Sequence, residues 1–216
     1  LDDQANRTGF RRVCTSLADA WRDRRDEVVQ GAKELSDYLQ RSLAPKLAPG
    51  EPTAQLLEKI IPQALERYDS EYGGFAYPPR RAPKFPHSTE LQVLMRLATK
   101  EAKEITATTL HGMRRGGIHD QIGGGFHRYS VDGLWQIPHF EKMLYDNAQF
   151  ISILSKYAKV NKNNYFRDKI VHTINFVSKN FINKERGLLG SAFDADSDGQ
   201  EGKYYIFNYE EIKNEI

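Results

Sequence analysis

Apolar residues recur at 3.6-residue spacing along most of this 216-residue chain, and glycine-led loops interrupt the pattern three times. A helical period broken by decorated loops restricts the chain to packed helices. The stripe Phe10, Val13, Cys14, Leu17, Ala18 and Trp21 predicts a helix over 8–21, and Val28, Ala32, Leu35, Leu39 and Leu43 predict a second over 24–43. The same spacing predicts helices over 54–69, 88–99, 102–115, 139–160 and 164–183, with a kink at Pro62 and a cap at Thr53. Between the second and third, Pro45, Pro49 and Pro52 stop any helix and mark a linker over 45–52.

The interrupting loops resemble one another. Tyr72-Gly73-Gly74-Phe75, Gly123-Gly124-Gly125-Phe126 and Arg186-Gly187-Leu188-Leu189 each follow a helical segment. Two helices per loop imply a mainly α protein of stacked helical hairpins whose loops open on one face. Short β-hairpins are expected within the loops. One pairs 126–130 with 134–137 about Asp132-Gly133, and another pairs 188–193 with 203–207.

Composition removes several functions. Lysine and arginine nearly balance the acids, leaving a net charge of +2, which disfavours a nucleic-acid binder. The longest apolar runs are far short of a bilayer span, and no signal-peptide pattern opens the chain, so no membrane partner is expected. A single cysteine excludes an internal disulfide and a CxxC motif. Its place on the first stripe makes Cys14 a buried core thiol, and a reducing, cytoplasmic location follows as an expectation. With no initiator Met and a helical pattern still open at Tyr209–Ile216, the sequence reads as a piece of a longer chain.

Residues able to do chemistry concentrate in one place. His111, His119, His127 and His139 fall within 29 residues, and Gly116–Asn147 adds Asp120, Arg128, Tyr129, Trp135, Glu141, Lys142, Tyr145 and Asp146. Such density in a glycine-rich loop suits a binding site on a rigid scaffold. Tyr129, Trp135 and Tyr145 offer flat faces for a sugar ring, and Arg128 can hydrogen-bond hydroxyls. Pro138 places His139 and Glu141 at the start of the sixth helix, where Lys142 and Asp146 form an i,i+4 pair. Sugar isomerisation would use His139 and His127 to move a proton, with Arg128 or Lys142 on the enolate oxygen. Glycoside hydrolysis would instead use two of Glu141, Asp146, Asp194 and Asp196, about 5–9.5 Å apart. A third reading makes these residues structural, in an interaction domain without catalysis.

Metal and cofactor motifs are weak. The histidine spacings match no zinc pattern, and Asp194–Gly199 opens like a calcium loop but has Tyr205 where the bidentate Glu belongs. Neither a phosphate loop nor a GxSxG motif occurs, so no metal or cofactor is expected.

Four blocks carry a resemblance: Ala82–Pro86, Gly116–Asp132, Trp135–Ala148, and Asp194–Ser197 with Glu201-Gly202-Lys203. Together they closely resemble the spermatogenesis-associated, thioredoxin-like protein family. The resemblance implies an N-terminal thioredoxin-like domain joined to a six-hairpin (α/α)6 toroid similar to that of N-acylglucosamine 2-epimerases and certain glycosidases. On this reading 1–21 match the last thioredoxin-like helix, 1–44 comprise that domain's closing helices and a connector, and 53–216 form the first part of the toroid. The partners implied are a small sugar, the N-terminal thioredoxin-like domain and the remaining toroid half. The family's cysteine motif is absent here, so no redox activity is assigned.

Overall fold

A computed structural model describes residues 8–43, 54–76, 82–162 and 164–215. The proline linker, Thr53 and the 77–81 connection lie outside the described residues. The chain divides into two compact units, Leu1–Pro52 and Thr53–Ile216.

The first unit holds α1 (Phe10–Asp23) and α2 (Arg25–Leu43), which pack on each other. Neither contains a buried residue, and the Cys14 thiol is exposed. This corrects the expectation of a core cysteine. Two helices cover only one stripe of each other, so Phe10, Leu17, Trp21, Leu35 and Leu43 keep their surface.

The second unit is helical with short strand pairs. It opens with α3 (Ala54–Glu58) and α4 (Ile60–Arg67). The break falls at Lys59 because the ring of Pro62 would meet the Glu58 carbonyl in a continuous helix. Then come α5 (Ser88–Leu97) and α6 (Lys100–Arg115), the latter capped by the Thr99 hydroxyl. Strands β1 (Tyr129–Ser130), β2 (Pro138–His139) and β3 (Lys142–Met143) lead into α7 (Leu144–Asn161). A 3-10 turn, α8 (Arg167–Phe176) and a π turn over Val177–Phe181 follow. The chain continues through β4 (Ile182–Asn183), β5 (Leu188–Leu189), β6 (Ala192–Phe193), β7 (Asp196–Ser197) and β8 (Gln200–Glu201) to α9 (Tyr209–Glu215). Helix α5 packs on α6 and α7, and α7 packs on α8. Their shared core includes Leu91, Leu94, Leu110, Phe150 and Leu154. No helix among the described residues is long and apolar enough to cross a membrane.

Helix α7 starts five residues later than the pattern predicts. Tyr129 pairs with His139 and Ser130 with Pro138, while Lys142 pairs with Phe193 and Met143 with Ala192. These ladder bonds hold 138–143 extended. Asp132 therefore does not head a two-residue turn. Its carboxylate takes the N–H groups of Leu134, Gln136 and Ile137 in a longer loop. The tight turn lies elsewhere, at Asp198-Gly199, where both residues have positive φ and β7 meets β8. Likewise 188–193 does not pair with 203–207, since β5 joins β4 and β6 joins β3.

The first two repeat loops are the same turn. In each, an aspartate N–H donates to the second glycine's carbonyl, and the first glycine's N–H returns to the aspartate carbonyl (Asp69 with Gly73 and Gly74, Asp120 with Gly124 and Gly125). All four glycines have positive φ. Each aspartate carboxylate also accepts two backbone N–H groups and a buried lysine, Lys84 on Asp69 at 2.7 Å and Lys142 on Asp120 at 2.6 Å. In the third loop Asn183 plays the aspartate's part, accepting the N–H groups of Glu185 and Arg186.

Candidate functional site

The site forms where the 126–130 segment runs beside 138–143 at the N-terminus of α7. Buried Asn147 staples the two together. Its Oδ1 accepts the Phe126 N–H at 2.7 Å, and its Nδ2 donates to the carbonyls of Phe126 and Met143. Phe126 stacks on Phe150 of α7, centroids 3.9 Å apart, and the Arg128 N–H donates to the Glu141 carbonyl.

On this frame the side chains converge. Arg128 Nη1 donates to Glu141 Oε2 at 2.9 Å. His139 Nδ1 lies 2.9 Å from Glu201 Oε1, and its Nε2 lies 3.6 Å from Glu141 Oε2. The imidazole stacks on Tyr129 at 4.8 Å, and Tyr129 stacks on Phe85 at 4.6 Å. Glu141 and then Tyr145 hold the Arg128 guanidinium above its ordinary value. Burial raises the Asp146 carboxyl to about 6, with Arg128 opposing the rise and Glu141 adding to it. Its Oδ2 is enclosed without a hydrogen-bond partner. The cluster thus holds a histidine between two carboxylates, a cation, two tyrosines and an acid able to carry a proton near neutrality.

Six of the sequence-derived candidates meet here: Arg128, Tyr129, His139, Glu141, Tyr145 and Asp146. Others are placed elsewhere. Trp135 has no exposed surface, and its Nε1 donates to the Tyr72 carbonyl, so its face is closed to a sugar. A Cβ on Gly74 would lie 2.4 Å from its ring, so the glycine forms part of the Trp slot. Lys142 is also buried and pairs with Asp120 rather than Asp146, because extended residues 138–143 turn it inward before α7 begins. Burial pushes Asp120 up, but Lys142 and two N–H groups outweigh this and hold it below the usual carboxylate range. His127 is buried against Phe140 and Tyr205, near the Lys142–Asp120 pair. Asp194 and Asp196 line a separate cleft of about 500 Å³ with Asn175, Lys179 and Tyr204.

Sequence reasoning gave Glu201 no part in this site. Glu201-Gly202-Lys203 belongs to one of the resembling blocks, but nothing local ties it to His139, which it reaches across 62 residues. Among the described residues no group of three or more His, Cys, Asp or Glu is arranged to hold a metal.

The fold is shared with solved sugar-processing enzymes. A sugar epimerase from a ruminal bacterium matches 65% of this chain and 41% of its own, with TM-score 0.53 and 20% identity. Cellobiose 2-epimerase from Spirochaeta thermophila matches 65% and 38%, with TM-score 0.56 and 21% identity. A D-mannose isomerase matches 68% and 41%, with TM-score 0.51 and 15% identity. The chain is therefore mainly helical, with the (α/α)6 toroid fold of these neighbours.

More particularly, the chain is a relative of spermatogenesis-associated protein 20. It is 33% identical over 230 residues to the Mus musculus and Homo sapiens proteins, covering 98% of this chain. The chain spans about 28% of the length of these curated relatives. No family model matches it.

Proposed function

We propose that the second unit is a sugar-binding toroid segment whose Arg128–Glu141–His139–Glu201 cluster moves a proton beside a sugar carbonyl. The observation that carries this reading is His139 oriented through Nδ1 by Glu201 at 2.9 Å, with Nε2 left outside hydrogen-bond distance of Glu141 at 3.6 Å and so able to take a proton, beside a guanidinium. In open-chain aldose, His139 would take the proton from the carbon next to the carbonyl. The electron pair moves onto the carbonyl oxygen as an enolate, which Arg128 meets. Asp146, whose carboxyl is raised to about 6 by burial, returns a proton to the carbon skeleton in place of the buried His127. Tyr145 stands beside the substrate, while Tyr129, stacked with both His139 and Phe85, braces the imidazole. The first unit fits the closing helices of a thioredoxin-like domain, residues 1–44, with the toroid segment over 53–216.

Two other readings each have an observation in their favour. Asp146 raised to about 6 near Glu141 is the acid a glycoside hydrolase needs. The mutual pairing of Arg128 with Glu141 and His139 with Glu201 suits an interaction domain without catalysis.

One experiment separates them. The full chain is incubated with D-glucose or D-mannose in D2O, and the C2 proton is followed by NMR. Exchange that disappears in His139→Asn supports the proton-transfer reading. Release of nitrophenol from nitrophenyl glycosides, lost in Asp146→Asn, would replace it with hydrolysis. Neither activity would leave the interaction domain.

A further inference from the structure

The cleft that Asp194 and Asp196 line is walled by residues of α8, the π turn after it and the 193–205 segment. Its volume of about 500 Å³ suits a small molecule, whose pockets run from about 300 to 1,000 Å³. Arg128, His139, Glu141, Asp146 and Glu201 are not among the described residues of its wall.

Its deepest charges are already satisfied. Buried Lys142 donates to Asp120 Oδ2 at 2.6 Å and to the Gly124 carbonyl, and its ammonium lies 4.2 Å from the centre of the Phe176 ring. The rest of the wall is open. Asn175, Lys179, Asp194, Asp196 and Tyr204 are all exposed. Among the described residues, the side chains of Asn175, Lys179, Asp196 and Tyr204 make no hydrogen bond within the protein. The Asp194 carboxylate accepts only the Asp196 N–H, and the Lys203 ammonium is drawn to Asp198 instead. Both lining carboxylates therefore keep acceptor lone pairs, while Asn175 and Lys179 keep donors. Phe193 is 38% exposed and Tyr204 73%. Tyr204 crosses Tyr205 at 83° rather than stacking on it, which leaves a ring face open.

A sugar ring has the matching chemistry: a C–H face that packs on an aromatic ring, and a rim of hydroxyls that each donate and accept. A wholly apolar ring would strip water from the carboxylates and give them no partner. An anion would meet two carboxylates against the single Lys179 ammonium. We infer that this cleft is a second carbohydrate-binding site, taking an uncharged sugar ring that packs on Tyr204 and Phe193 while its hydroxyls donate to Asp194 and Asp196 and accept from Asn175 and Lys179. The site holds a closed ring and needs no proton transfer at His139, so it stands apart from the catalytic reading.

The test is NMR titration of the full chain with methyl β-D-glucopyranoside, whose locked ring cannot expose a carbonyl. The side-chain amide of Asn175 reports on the cleft, and Arg128 Nε–H on the ion-pair cluster. A saturable shift at Asn175 is expected. Cyclohexanol, a six-membered ring with one hydroxyl, should bind about tenfold more weakly or worse. Asp196→Ala removes hydrogen bonds to a charged acceptor and should weaken the sugar about tenfold. Tyr204→Ala, at an exposed position, should weaken it about threefold without moving the unfolding midpoint. Cleft binding in a chain that shows no C2-proton exchange would uphold this inference while removing the catalytic reading. No saturable shift at Asn175, cyclohexanol binding as tightly as the sugar, or a sugar affinity unchanged by Asp196→Ala or Tyr204→Ala overturns it.

Discussion

His139 Nδ1 and Glu201 Oε1 stand 2.9 Å apart, joining β2, ahead of α7, to β8. Glu201 comes from β8, whose pairing with β7 through the Asp198-Gly199 turn sets its direction. A base oriented in this way depends on a residue that touches no substrate. Glu201→Gln should lower C2-proton exchange about 10–100-fold, with a shifted pH profile, while leaving the thermal unfolding midpoint nearly unchanged. An unaltered exchange rate and pH profile would remove Glu201 from the site.

The two buried lysines brace equivalent turns. Lys84 donates to Asp69 and to the carbonyls of Gly73 and Gly133, and it has no exposed surface. Lys84→Ala leaves Asp69 buried without its countercharge and should cost about 3–5 kcal/mol in urea unfolding. The double variant Lys84→Met with Asp69→Leu should recover part of that loss. A Lys84→Ala loss under 1 kcal/mol would mean the turn stands without its lysine.

Acid should destabilise the fold through its buried histidines. His119 and His127 sit at about 3 and about 4, below their unfolded value near 6.5. Between those values the unfolded chain binds protons that the native chain does not. Stability is therefore complete above pH 6.5 and falls as pH drops toward 4. His127→Gln should flatten this decline, as measured by unfolding midpoints from pH 7 to 4.

Asp146 works in the opposite sense. Its folded value of about 6 exceeds the unfolded one, so it favours the native state at low pH and loses that contribution as pH rises through 6. Asp146→Asn should raise stability at pH 7.5 by about 1 kcal/mol, after discounting for solvent contact, while abolishing whichever activity the site has. No gain at pH 7.5 would place the carboxylate in a wetter setting.

Glycine is required where the Trp slot closes. Gly74 has a φ of +85°, and an added Cβ would lie 2.4 Å from the Trp135 ring. Gly74→Ala should cost more than 2 kcal/mol through strain and displacement of the indole, visible as a red-shifted tryptophan emission. An unshifted spectrum with full stability would show that the slot can widen.

What the sequence determined by itself is what neighbouring residues decide. Helices α1, α2, α5 and α6 fall near their predicted spans because a 3.6-residue stripe needs only one apolar surface to pack on. The Asp–Gly-Gly turns were visible as repeats because their bonds close within a few residues. Partner choice was decided by the tertiary structure. Lys142 and Asp146 have i,i+4 spacing, yet β3 pairs with β6 and keeps 142 out of the helix, so the lysine turns inward to Asp120. His139 finds Glu201 for the same reason, and Trp135 is lost as a sugar face because Gly74, Gly112 and Gly116 let the backbone close around it. A local pattern records which faces are apolar. It does not record which distant chain arrives to satisfy a charge, since that depends on strand pairing and burial across the whole fold.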